Sequence, residues 1–206
     1  MRGKAYEKIG LGAELLLGAV LLSTVLQHYL PRPARMYEMT FLSNMAGAAL
    51  FLGDGLLRLF NKRRLPSWVQ FPVITALLTV VLITVGCTLS GYKAFGLGGG
   101  MAFLHVINPA GAVLWFILWG EAAKGSWKQC FTAPVFCMAY LIFDWLRSFW
   151  TGRYVYGLLP IDKMTLPLTL LAGAAAYAGL LLLCALLLAL GKGALLLLGE
   201  KKGKIL

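Results

Sequence analysis

The chain has 206 residues, of which 60% are hydrophobic and only 13% charged, and its mean hydropathy is +0.79. A water-soluble domain of this size has too little interior to hide that much apolar surface, so lipid must be its solvent. The net charge of +11 raises nucleic acid as a partner, but its distribution along the chain reads as membrane topology instead.

Six segments have the roughly 20 residues that a bilayer core of ~30 Å demands. They lie near 9–30, 37–60, 68–90, 98–120, 129–149 and 165–191. The linkers between them leave no room for a soluble domain. Residues 1–206 therefore read as a single all-α polytopic membrane domain, a bundle of six transmembrane helices. With the N-terminus taken as cytoplasmic, thirteen of the lysines and arginines fall on the inner side. Six fall outside: Arg32, Arg35, Lys93, Arg147, Arg153 and Lys163. That is the positive-inside bias, and it puts both termini in the cytoplasm. Short loops and compact size point to a bacterial plasma membrane. Cys87, Cys130, Cys137 and Cys184 form no C-x-x-C, and there are two histidines. Neither a metal site, another cofactor nor a disulfide framework is expected.

In chain order, span 1 carries Glu14 about one turn inside its inner end, and His28 beside Tyr29 at its outer end. No small-residue cleavage site follows, so the span reads as uncleaved. Pro31 and Pro33 make a short, stiff return into span 2. There Thr40, Ser43 and Asn44, at i, i+3 and i+4, share one helical face in the stretch MTFLSNMAG. Such a stripe serves either as helix–helix glue or as an intramembrane reaction site. Deeper in, Asp54 and Arg58 are spaced for an ion pair. The threonines of span 3 (Thr75, Thr79, Thr84, Thr88) read as packing. The glycine-rich linker Gly91 to Gly100 lacks the strand and the G-K-[ST] of a phosphate loop, and reads as a flexible connection.

Span 4 opens with Phe103-Leu-His-Val-Ile-Asn-Pro109, in which His105 and Asn108 face the same way. Pro109 withholds an N–H from the carbonyl of residue 105, which predicts a bend. Span 5 lines up Tyr140, Asp144 and Arg147 on one face, and an Asp–Arg pair there partly neutralises itself. The following linker, TGRYVYGLLPID, holds Tyr154, Tyr156 and Asp162 and suits an interfacial aromatic belt. Span 6 is Leu- and Ala-rich scaffold, followed by a basic tail.

Topology and a rise of ~1.5 Å per residue put Thr40, Asn44, His105, Asn108, Asp144 and Arg147 in one slab, roughly 5–15 Å from the outer surface. That combination permits acyl transfer. Thr40 is a nucleophile if His105 takes its proton, a carboxylate or amide can orient the imidazole, and Asn44 or Asn108 can donate to an oxyanion. A site inside the outer leaflet suits a lipid ester. Membrane lipids and that ester are the expected partners, with no nucleic acid.

Three motifs in this order carry a resemblance: Thr40 with Ser43-Asn44, the L-H-x-x-x-P of Leu104 to Pro109, and R-x(4)-G-x-Y-x-Y…D from Arg147 to Asp162. Together they resemble the androgen-induced-gene-like membrane proteins, which include the androgen-dependent TFPI-regulating-protein-like members and bacterial relatives. The resemblance spans about residues 10–190. It implies an atypical threonine hydrolase that cleaves fatty acid esters of hydroxy fatty acids, with Thr40 as nucleophile and His105 as base. Ser43, Asn44, Asn108, Asp144, Arg147 and Tyr154 are supporting candidates for oxyanion or substrate contacts. The chain departs from the family pattern in having Leu114 and Trp115 where an acidic residue is expected, and Val155-Tyr-Gly-Leu-Leu-Pro160 in place of an aromatic–proline run.

The competing readings are a small transporter or lipid-binding bundle and a purely structural polar core. A transport path should continue across the membrane, yet a mostly apolar middle separates the outer cluster from Glu14 and Asp54.

Overall fold

The computed structural model describes residues 4–92, 98–120, 125–156 and 165–197. Lys93, Lys124, Asp162, Lys163, the middle of the glycine-rich linker and the basic tail lie outside the described residues.

Six helices are long and apolar enough to cross a membrane. They are α1 (Lys4–Tyr29), α2 (Met39–Asn61), α3 (Ser67–Leu89), α4 (Gly100–Leu118), α5 (Gln129–Thr151) and α6 (Leu166–Leu197). The protein is an all-helical integral membrane bundle, with no strand among the described residues. The spans expected from hydropathy lie within a few residues of these limits, except that α6 runs further, to Leu197.

The most extensive pairing is α1 against α2, and glycine explains it. A Cβ at Gly18 would meet the Leu52 backbone nitrogen at 2.9 Å, and one at Gly55 would meet Leu15 Cδ2 at 2.6 Å. Two helices without a hydrophobic drive between them gain most from such close backbone approach. The central core is apolar: Phe51 sits edge-to-face on Trp115 at 5.0 Å, and Phe71 on Phe116 at 4.9 Å. These contacts join α2, α3 and α4, with Leu187 and Leu188 of α6 closing the side.

At the end of the bundle where α1 starts, Glu14 is fully buried and pairs with Arg58 of α2. Asp54 does not take Arg58 as the i, i+4 spacing suggested; its carboxylate accepts the Leu65 amide N–H after α2 ends. Asp54 is satisfied by that backbone amide, while Glu14, buried on the facing helix, takes the counter-charge that a buried carboxylate demands. Arg64 donates to the Trp119 carbonyl and Tyr6 to the Leu118 carbonyl, capping the end of α4. Two α3 threonines bond within their own helix, Thr79 to the Thr75 carbonyl and Thr88 to the Thr84 carbonyl, both at 2.7 Å. Thr75 also lies 3.3 Å from Cys184 Sγ of α6, and Thr79 3.5 Å from Cys137 Sγ of α5.

Proline shapes the two helices that matter for the site. Pro33 opens a 3-10 turn (Pro33–Arg35) that swings the chain directly into α2. In α4, residues Phe103–Ile107 form a π turn, in which the Asn108 N–H reaches back to the Phe103 carbonyl. Pro109 cannot donate to the His105 carbonyl, so the backbone widens by one residue just before it.

Candidate active site

Thr40 lies in the first turn of α2 and is 1% exposed; His105 lies in the π turn of α4 and is 3% exposed. The two were 65 residues apart in sequence and now face each other, with Thr40 Oγ1 3.3 Å from His105 Nε2. His105 Nδ1 lies 3.0 Å from the Met101 carbonyl oxygen. A carbonyl can only accept, so Nδ1 carries the proton and Nε2 is left as the acceptor for the threonine hydroxyl. A backbone carbonyl thus orients the imidazole, where a carboxylate or amide side chain was expected.

Asn44 fixes both partners. Its Nδ2 donates to the Thr40 carbonyl at 2.8 Å and to the Leu104 carbonyl at 2.9 Å, pinning the backbone at Thr40 and just before His105. Both amide protons are used, so Asn44 clamps α2 to α4 and has none left for an oxyanion. Asn108 is turned away to α1, donating to Thr24 Oγ1 at 2.8 Å. Ser43 donates back to the Thr40 carbonyl at 3.4 Å.

The third group at Thr40 is Tyr156. Its hydroxyl accepts the Thr40 amide N–H at 3.0 Å and lies 3.1 Å from Thr40 Oγ1. That amide is one of the first-turn donors that no helix carbonyl can satisfy. Since the Thr40 proton points to His105, Tyr156 donates to Oγ1, giving a relay from Tyr156 through Thr40 and His105 to Met101. Burial pushes the Tyr156 phenol up to about 12, against the lowering effect of its Thr40 contacts, so it keeps its proton throughout ordinary pH.

The segment after α5 delivers that hydroxyl. Gly152 adopts φ +67, a left-handed conformation that glycine takes without strain, and its N–H closes on the Ser148 carbonyl at 2.9 Å. Asp144 Oδ1 then accepts the Val155 N–H at 2.8 Å. Asp144 neither touches His105 nor pairs with Arg147. Arg147 instead donates to the Tyr37 hydroxyl at 3.1 Å and lies 4.3 Å above the Tyr37 ring. Tyr154 is buried but lines the neighbouring clefts, and the Thr40 contact falls to Tyr156, two residues on. The sequence reading named Tyr154 and left Tyr156 in an aromatic belt. The Y-x-Y spacing was the available signal, but it does not say which tyrosine points inward.

A cavity of about 30 Å³ adjoins Thr40, lined by Met39, Thr40, Thr79, Val80, Ile83 and Tyr156. It has room for about one water. Ile83 is 41% exposed, so this cavity lies against the side of the bundle that would meet lipid. No group of three His, Cys, Asp or Glu among the described residues could hold a metal ion. Compared with family models, with curated proteins and with solved structures, the chain matches none.

Proposed function

We propose that the protein is an intramembrane lipid-ester hydrolase with Thr40 as nucleophile and His105 as its base. The observation that carries this reading is the proton register at the imidazole. Met101 holds the Nδ1–H, and Nε2 faces the Thr40 hydroxyl at 3.3 Å. This distance is at the long edge for a hydrogen bond, and such contacts commonly tighten only when substrate binds. The family resemblance of the Thr40, His105 and Tyr156 motifs supports the same assignment, including fatty acid esters of hydroxy fatty acids as substrates. The positive-inside bias supports cytoplasmic termini and an outward-facing Thr40 end, and the short loops and compact size support a bacterial plasma membrane.

In this mechanism His105 Nε2 takes the Thr40 proton as Oγ1 attacks the ester carbonyl. The carbonyl oxygen becomes an oxyanion beside the Tyr156 hydroxyl and the first-turn amides of α2, whose helix dipole also favours negative charge there. The tetrahedral adduct collapses, the alkoxide leaves with the proton from Nε2, and the acyl group stays on Thr40. Water entering the vacated space gives a proton to His105 and attacks the acyl-threonine. Collapse then releases the carboxylic acid, and the Thr40 hydroxyl is restored.

The test is hydrolysis of a branched fatty-acid ester by purified protein, beside Thr40→Ala and His105→Ala checked for folding by size exclusion. Turnover should fall at least ~10²-fold in both variants, the lower end of what a positioned base contributes. Wild type should also be labelled by a fluorophosphonate, and Thr40→Ala should not. A folded wild type that is inert across chain lengths, or variants that match it, would return the polar cluster to a binding or structural role.

A further inference from the structure

Beside the Tyr154–Tyr156 segment lies a second cleft, of about 310 Å³, that the hydrolytic chemistry does not use. It is lined by Arg35, Tyr37, Glu38, Arg147, Arg153, Tyr154, Val155 and Tyr156. Three arginines against one glutamate leave it a net +2. Glu38 is already occupied, since Oε1 pairs with Arg35 at 3.1 Å and Oε2 accepts the Tyr29 hydroxyl at 3.0 Å. Arg147 lies over the Tyr37 ring with two of its five N–H donors engaged, to Tyr37 and Thr151. Among the described residues, the Arg153 guanidinium has no hydrogen-bond partner. Asp144 lies below and gives its Oδ1 to Val155. Two guanidinium groups with spare donors, one preorganised on a ring, are suited to a planar or tetrahedral oxyanion.

Two neighbours give this cleft a direction. Tyr156 lines both it and the cavity at Thr40, so a group bound by the arginines sits one tyrosine side chain from the nucleophile. Tyr154 lines both the cleft and a groove of about 550 Å³ between α5 and α6. That groove is walled by apolar side chains such as Leu141, Ile142, Trp145, Leu170 and Ala174. A basic pocket at the membrane rim that opens into an apolar trough along two helices matches an amphiphile with one anionic head.

We propose that Arg147 and Arg153 bind the anionic group of a lipid, a carboxylate or a phosphate, while one of its chains lies in the α5–α6 groove. This rests on the hydrolase reading for its consequence: the ester presented to Thr40 is that of an anionic lipid, and neutral esters are poor substrates.

The decisive experiment reads binding without turnover. Full-length protein in phosphatidylcholine nanodiscs is titrated with doxyl-labelled stearic acid, its methyl ester and a doxyl-labelled lysophosphatidic acid, under alkaline conditions that ionise the acids. The signal is the quenching of Trp145, taken as wild type minus Trp145→Phe. At least one anionic probe should quench at about tenfold lower mole fraction than the methyl ester. The Arg147→Gln/Arg153→Gln double variant should abolish that advantage, and Arg153→Lys should retain much of it. The tighter of the carboxylate and phosphate probes identifies the headgroup. Equal quenching by acid and methyl ester, an unchanged advantage in the double variant, or quenching that survives Trp145→Phe in full would overturn the proposal. Run in parallel on Thr40→Ala, which has no nucleophile, the assay separates failure of this site from failure of the hydrolase reading.

Discussion

Asp144 and Tyr156 never touch, yet the carboxylate of one places the hydroxyl of the other. Asp144 Oδ1 holds the Val155 amide at 2.8 Å, and the next residue along carries the phenol that meets Thr40 at 3.1 Å. A carboxylate on the last membrane turns of α5 thus reaches the nucleophile through one backbone amide, without contacting the histidine.

This makes Asp144 a positioning residue, with a graded expectation. Asp144→Ala should lower kcat for the branched ester by about tenfold, while Asp144→Asn, which keeps an acceptor oxygen, should recover most of it. A tenfold loss corresponds to ~1.4 kcal/mol, in line with one hydrogen bond to a charged acceptor. If Asn and Ala behave alike while both remain folded, the Val155 bond is not how Asp144 acts.

Tyr156→Phe removes the donor at Oγ1 and strands the Thr40 amide. The hydrolase reading expects kcat to fall by roughly 10²–10³, the range found when one oxyanion donor is lost, with KM little changed. Tyr154→Phe should spare kcat by comparison. A steady-state comparison of the two variants decides which tyrosine serves the reaction.

The pH profile follows from two protons. His105 must be neutral to accept from Thr40, so log kcat/KM should rise with unit slope on the acid side as the imidazolium loses its proton. Tyr156 must keep its proton, and with its phenol pushed up to about 12 it does so to well above pH 10. A single acid limb and a flat alkaline plateau are expected. An alkaline limb falling between about pH 8 and 10, away from the reach of that phenol, would point to a different base or donor.

At the other end of the bundle, Arg58→Met strips the counter-charge from buried Glu14. Thermal unfolding should register a loss of about 3–5 kcal/mol, as for other buried pairs broken from one side. The double variant Glu14→Gln/Arg58→Met should recover much of it, because the uncompensated charge is gone. Hydrolysis by the folded fraction should be unaffected, since this pair lies far from Thr40 in the bundle.

The sequence by itself determined that this is a membrane bundle, how many times it crosses, and which face of spans 2, 4 and 5 is polar. Hydropathy and helical period are local quantities, read from 20-residue windows, and lipid enforces them strictly because an unpaired backbone cannot enter the bilayer core. It also brought Thr40 and His105 to one depth, since depth needs only a count along each helix. What only the tertiary structure decided is the set of partners. Whether Arg58 chooses Asp54 on its own helix or Glu14 on the next depends on the α1–α2 approach that Gly18 and Gly55 allow. Whether Asn44 donates to an oxyanion or to two carbonyls depends on the rotation of α4 about its π turn. And the choice of Tyr156 over Tyr154 rests on the left-handed turn at Gly152 and the Asp144 bond, which set the course of an irregular segment with no periodic signal of its own.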